Sequence, residues 1–314
     1  MKTTTGILKK IMELMMAFSL LAANQQSSPE MPTVAGKEPV TEEVHVVVPG
    51  MIGSRTFAYL SDLHIITLSE DMPESEREYL VSRQKWAANG DVTSEMQWPQ
   101  WVEYLNAGDF DYVLLGADLL DFASEDTIRV FKEGLEKLKK PYMYIRADHD
   151  FLPYKGSALT ERDTVELQKT VCGYSDVFTE NFGDFILFGW NNSTSRMTEK
   201  GIQKWREVLA AGKPVIVLTH VPIKPLSDES LSRISQNLYR GEELLWGIDT
   251  SYYVPDDYTR EFLESIYGVG SPVKEILCGH LHYTWDGYVS EGVHQHVFSP
   301  AFSGYIGIVE ISGR

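Results

Sequence analysis

Residues 142–150 read YMYIRADHD. Tyr142, Met143, Tyr144 and Ile145 have the composition of a buried strand, opened by Pro141. The strand then runs into Arg146, Ala147, Asp148, His149 and Asp150. Ionisable groups at the end of an apolar strand are costly to bury unless something neutralises or uses them. The same grammar recurs on either side.

TFAYLS (56–61) is followed by Asp62 and His64, and DYVLLG (111–116) by Asp118 and Asp121. PVIVLTH (214–220) ends in His220, and EILCG (275–279) runs into His280 and His282. Further strands are expected at HVVV (45–48) and FILFGW (185–190), with hairpin strands in HYTWDGYVS, HQHVFSP and YIGIVEIS near the C-terminus. Helices fall between them. Ser124 reads as an N-cap, and Ile128, Phe131, Leu135 and Leu138 keep helical spacing after it. A second helix spans 199–210 and stops near Gly212. Trp98, Trp101, Val102 and Leu105 form another helical face, with core packing as its simplest role. This alternation specifies an α/β chain with a parallel or mixed sheet covered by helices.

In such folds ligands gather at the carboxyl ends of strands. Five of the eight histidines (His64, His149, His220, His280 and His282) sit at these ends, interleaved with carboxylates. Imidazole and carboxylate without thiolate suit zinc, manganese, iron or similar ions. The donors outnumber what one tetrahedral ion takes and suit two.

The 314 residues and 43% hydrophobic content support a sizeable core. A formal net charge of -17 speaks against nucleic acid or an anionic membrane as partner, both of which favour a basic face. Of the two cysteines, Cys172 and Cys278, the latter ends an apolar run and reads as core. Lys2, Lys9 and Lys10 precede LMMAFSLLAA, an apolar stretch too short to span a bilayer. Residues 1–23 are therefore expected to be a signal peptide, which implies export, or a cytoplasmic protein if the segment is retained. Residues 24–41 are polar and Pro-containing and read as a linker, leaving 42–314 as a single domain.

The ordered series Asp62-Leu63-His64, Ala117-Asp118-Leu119-Leu120-Asp121, Ala147-Asp148-His149-Asp150, His220, and Gly279-His280-Leu281-His282 resembles the signature of the calcineurin-like metallophosphoesterases. The resemblance covers residues 56 to 282. It implies a four-layer αββα sandwich, two mixed β-sheets flanked by helices, with a dinuclear metal site at the strand ends. It implies that Asp62, His64 and His282 hold one divalent ion. Asp118 would bridge, and Asp148, His220 and His280 would hold the second. His149 would be the proton donor or charge stabiliser, and Asp150 its orienter. The implied activity is phosphoester hydrolysis by a metal-bridging hydroxide.

The chain departs from that signature at three points. Ala117 and Ala147 replace glycines, so these two turns are expected to be ordinary or slightly displaced. Asp148 replaces an asparagine, which makes the centre one unit less positive and tilts the substrate towards monoanionic phosphodiesters. No arginine follows Asp121, where protein Ser/Thr phosphatases carry one.

Residues 65–110 and 222–272 are long enough to carry specificity. Arg240 in the second, and Asn191 in NNSTS (191–195), are candidates for substrate contact, set against a plain role in loop packing. His294 and His296 lie after the motif series and read as structural. The alternative to an enzyme is a non-catalytic binding or scaffold protein on the same fold. Every ligand position retaining a donor favours the enzyme.

Overall fold

A computed structural model describes residues 31–69, 72–173, 175–193 and 196–314. The segment expected to be a signal peptide, 1–23, lies outside the described residues. The rest forms a compact unit, Thr33–Arg314. Within it the packed chain reaches back to Val34, which is buried and closes a turn with Lys37. The last part of the stretch read as linker is therefore part of this unit.

Two sheets face each other. The first has the order β1 (Val40–Val47), β13 (Tyr305–Ser312), β2 (Ser54–Leu60), β5 (Tyr112–Gly116) and β6 (Tyr142–Ile145). In it β2, β5 and β6 run parallel, and β13 is antiparallel to β2. The second has the order β11 (Trp285–Ser290), β12 (Val293–Val297), β10 (Val273–Cys278), β9 (Val215–Leu218), β8 (Ile186–Trp190) and β7 (Val177–Asn181). Its four central strands are parallel and its two edges antiparallel. A two-residue ladder, β3 (Ala88–Asn89) with β4 (Val92–Thr93), stands apart.

Each sheet buries both faces, so β5, β8 and β9 read as unbroken apolar runs. Between the sheets lie Phe57, Tyr59, Leu114, Ile145, Leu187, Ile216, Leu218 and Leu277. The outer face of the first sheet is covered by α2 (Ser94–Ala107) and α3 (Glu125–Lys137) through Trp98, Trp101, Ile128 and Phe131. The second is covered by α6 (Glu199–Ala210) and α8 (Asp257–Tyr267) through Ile202, Trp205, Phe262 and Leu263. This is the four-layer αββα sandwich. Burying each such side chain contributes roughly 1.5–3 kcal/mol. The other helices are α1 (Glu74–Trp86), α4 (Asp148–Phe151), α5 (Glu161–Cys172) and α7 (Ser230–Leu238). Among the described residues, no helix is long and apolar enough to cross a membrane.

Local signals held where they were strong. Ser124 Oγ accepts from the Thr127 amide and opens α3 as expected. The edge strand β7 was not anticipated, because its sequence VFTEN is half polar and only Val177 is buried. Strand β1 begins earlier than 45 because its polar residues Thr41, Glu42 and Glu43 pair with β13 at the sheet edge.

Candidate dinuclear metal centre

All the ionisable strand ends meet at one end of the sandwich. Asp62 and His64 follow β2, Asp118 and Asp121 follow β5, and Asp148, His149 and Asp150 form the single turn α4 after β6. His220 follows β9, and His280 and His282 follow β10. The β2–β5 ladder continues past the strands: Asp62 N donates to Ala117 O at 3.0 Å and His64 N to Asp118 O at 3.0 Å. Keeping those bonds while turning the side chains together puts Asp62, His64, Ala117 and Asp118 at positive φ, and His280 and His282 after β10 share that conformation. Such conformations cluster at functional sites.

The expectation of an ordinary turn fails at Ala117, whose φ is 76°. It holds at Ala147, extended at φ -120° and ψ -174°. Left-handed backbone costs roughly 1–2 kcal/mol for a residue with a Cβ, and at Ala117 the continued ladder outweighs it. Gly279 is required for a different reason: a Cβ there would overlap the Asp62 carboxylate and Ser61 Oγ.

Donors expected from the sequence form two adjoining groups, and a third set, His64, Asp121 and His149, shares His64 with the first. Asp62, His64 and His282 have ligand atoms within 4.8 Å of one another, and so do Asp118, His220 and His280. His64 Nε2 and His282 Nε2 are 3.1 Å apart, and His282 Nε2 is 3.2 Å from Asp62 Oδ1. In the second group His220 Nε2 is 2.9 Å from Asp118 Oδ2. The same Asp118 oxygen is 4.0 Å from His64 Nε2, so Asp118 stands between the groups.

These atoms fit cations. Asp118 Oδ1 and His280 Nε2 are buried with no hydrogen-bond partner among the described residues. Nδ1 of His64 donates to Asp121 Oδ1 at 3.0 Å, which leaves its Nε2 lone pair facing His282 Nε2. His220 Nδ1 likewise donates to Gly116 O at 3.1 Å, which leaves Nε2 as the ligand atom. Burial alone would raise Asp118, yet His220, His149 and His64 hold it far below the usual carboxylate range. Burial would lower His220, yet Asp118 and Asp62 push it up to about 10. His280 is drawn down to about 3, by burial and then by His220. The carboxylates of the two groups thus call for positive charge between them.

Behind the first group stands Asp121, fully buried and absent from the ligand set read from sequence. Its carboxylate takes His64 Nδ1, lies 3.3 Å from His149 Nδ1, and is forked by Arg83 from α1 at 2.5 and 2.8 Å. Its carbonyl accepts from His149 Nδ1 at 3.0 Å. Asp121, not Asp150, therefore orients His149. Asp150 is fully buried and accepts from the amides of Ala147, Asp118, Leu119 and Leu120 and from the Tyr144 hydroxyl. It ties the β5 loop to α4. Burial and the Asp118 charge raise its carboxyl to about 6 against those donors. Asp148 joins neither ligand group; its carboxylate accepts from Ser193 Oγ, and its amide donates to the same oxygen at 3.2 Å. The second Asp of the Asp118-x-x-Asp121 spacing was the sequence signal for Asp121.

The calcineurin-like phosphoesterase family matches residues 55–284. This chain belongs to that family. It is a phosphoesterase hydrolase, metal-dependent, and its cofactors are two divalent ions. Among solved structures, the protein is similar to a dimetal phosphatase from Danio rerio, with 13% identity over 79% of this chain and 88% of that one and a TM-score of 0.42. It is also similar to a purple acid phosphatase from yellow lupin, Lupinus luteus, with 13% identity over 82% of this chain, 45% of that one and a TM-score of 0.49. A search of curated proteins finds no match.

Of the two candidate substrate contacts in this phosphoesterase, Asn191 is committed elsewhere. It is buried, its Oδ1 accepts from Arg146 N at 2.9 Å, and its Nδ2 donates to Ser175 O at 2.8 Å. Asn192 is equally engaged, with the amides of His220 and Val221 on its Oδ1. Arg240 is exposed and follows Tyr239 at the end of α7. Tyr239 itself reaches the centre, stacked on His280 at 5.7 Å and donating to His280 O at 2.9 Å. His294 and His296 lie outside both ligand groups. His294 bridges Glu275 and Asp286 at 3.0 and 2.8 Å, a structural ion pair.

Proposed function

We propose that this phosphoesterase hydrolyses small phosphoesters and prefers monoanionic diesters to dianionic monoesters. Asp62, His64 and His282 would hold one ion and Asp118, His220 and His280 the other, with Asp118 between them. When bound, two such ions place positive charge against phosphoryl oxygens and lower the pKa of water at the site. The chain's own proton donor is His149. Its Nδ1–H is spent on the Asp121 carbonyl, so Nε2 is the position that faces substrate. Burial opposes the charged ring, but Asp118, Asp121 and Asp148 carry His149 up to about 10, which favours the form that can protonate a leaving oxygen.

The observation that carries the diester preference is Asp148. Its half-buried carboxylate stands beside His149 and adds negative charge where a dianionic phosphate would arrive. Asp148→Asn tests this with bis(4-nitrophenyl) phosphate and 4-nitrophenyl phosphate. The monoester-to-diester ratio of kcat/KM should rise severalfold. An unchanged ratio, with metal content intact, removes the preference from the reading.

A further inference from the structure

Helix α1 lies in the long connection between the first two motifs and contributes one residue, Leu80, to the buried interior. Tyr79, Arg83 and Trp86 recur along it at helical spacing, i, i+4 and i+7, on one face. That face is turned to the metal centre. Tyr79 meets Phe122 at 6.1 Å, and Phe122 meets His149 at 6.2 Å. Arg83 is fixed by its fork on Asp121 and stands 4.2 Å from the Trp86 ring. Trp86 meets His64 at 5.1 Å, His282 at 5.5 Å and Phe302 at 5.0 Å. Both outer rings nevertheless remain open, Tyr79 at 44% and Trp86 at 43% exposure. Apolar surface left in water beside a reaction centre is covered at low cost by a flat ring of the substrate.

We propose that α1 carries a subsite for the leaving group, with Trp86 and Tyr79 as its walls, and that the preferred substrates are phosphoesters whose alcohol bears a planar aromatic ring. This rests on the phosphoesterase reading of the centre and names its substrate class. Arg83 is a positioning residue: its contacts on Asp121 and Trp86 hold the platform against the ligand set. The ring enters on the side where His149 faces the leaving oxygen.

The test uses competitive inhibition of the metal-loaded enzyme by phosphonates, whose P–C bond is not hydrolysed: phenylphosphonate, an adenosine 5′-phosphonate and propylphosphonate. The wild type should favour the aromatic inhibitors over propylphosphonate by about tenfold, the size of one stacked ring. Preference for phenyl or for adenosine separates a simple aryl ester from a nucleoside ester. In Trp86→Ala the aromatic-to-alkyl ratio should fall towards one, and Trp86→Phe should retain most of it. Trp86→Leu keeps apolar packing against Phe302 and serves if the alanine variant does not fold. An aromatic-to-alkyl ratio near one in the wild type, or one unaltered by loss of the ring, overturns the subsite. Absence of any turnover with two ions bound would instead overturn the phosphoesterase reading.

Discussion

Behind His64 stands a charged pair, Asp121 forked by Arg83; behind His220 stands a backbone carbonyl, Gly116 O. The two ligand groups are otherwise alike: one carboxylate and two imidazoles each, buried or nearly so, on strand ends with strained backbone. A carboxylate behind an imidazole makes the ring a stronger electron donor and fixes its orientation. The first group should therefore hold its ion more tightly and more rigidly than the second. The charged pair also reaches His149, so the proton donor is tied to the first group and not to the second.

That asymmetry can be attacked in order of expected effect. His149→Ala should lower kcat by about 10²–10⁴-fold while both ions stay bound, as read by metal analysis of the purified variant. Loss of an ion as well would mean that His149 serves the metal set directly. Asp121→Asn should weaken one of the two ions by about 10–100-fold and leave the other unchanged, measured by competition with a graded chelator. Equal weakening of both would break the comparison. Arg83→Ala keeps the Asp121 carboxylate, so its effect on the same ion should be smaller than that of Asp121→Asn.

The smallest effects lie in the turns at Ala117, before Asp118, and at Ala147, before the Asp148–Phe151 helix. Ala117→Gly should raise stability by about 0.5–1 kcal/mol, because relief of left-handed strain exceeds the entropy that glycine adds to the unfolded chain. Ala147→Gly has no strain to relieve and should lower stability by about 0.4–1 kcal/mol. Urea midpoints at one fixed metal concentration would show the two signs. Two changes of the same sign would show that φ at these positions is not what separates them.

Much of the centre was legible before any coordinates. Each ligand follows a strand of four to seven residues whose last residues are apolar, and periodicity locates such strands without tertiary information. The residues that escaped are those whose meaning depends on distant partners. Asp150 sits beside His149 in sequence and suggests a dyad, but one turn of helix points it into the β5 loop, where four amides wait for it. Asn191 borders the centre in sequence, yet Arg146 and Ser175 take both ends of its amide.

The sequence by itself determined the α/β class, the strand ends and the chemical identity of the donors that gather there, because apolar periodicity and side-chain type are local properties; the four-layer order was implied by the family resemblance. Only the tertiary structure decided which carboxylate serves which imidazole. It put Asp121 behind His64 and His149, sent Asp150 to the backbone and Asp148 to Ser193, and brought Arg83 and Trp86 to the rim on a helix with one buried residue. Hydrogen bonds between residues 30 to 60 positions apart are fixed by how loops turn at the ends of packed strands. The chain states its donors; the packing of the two sheets assigns their partners.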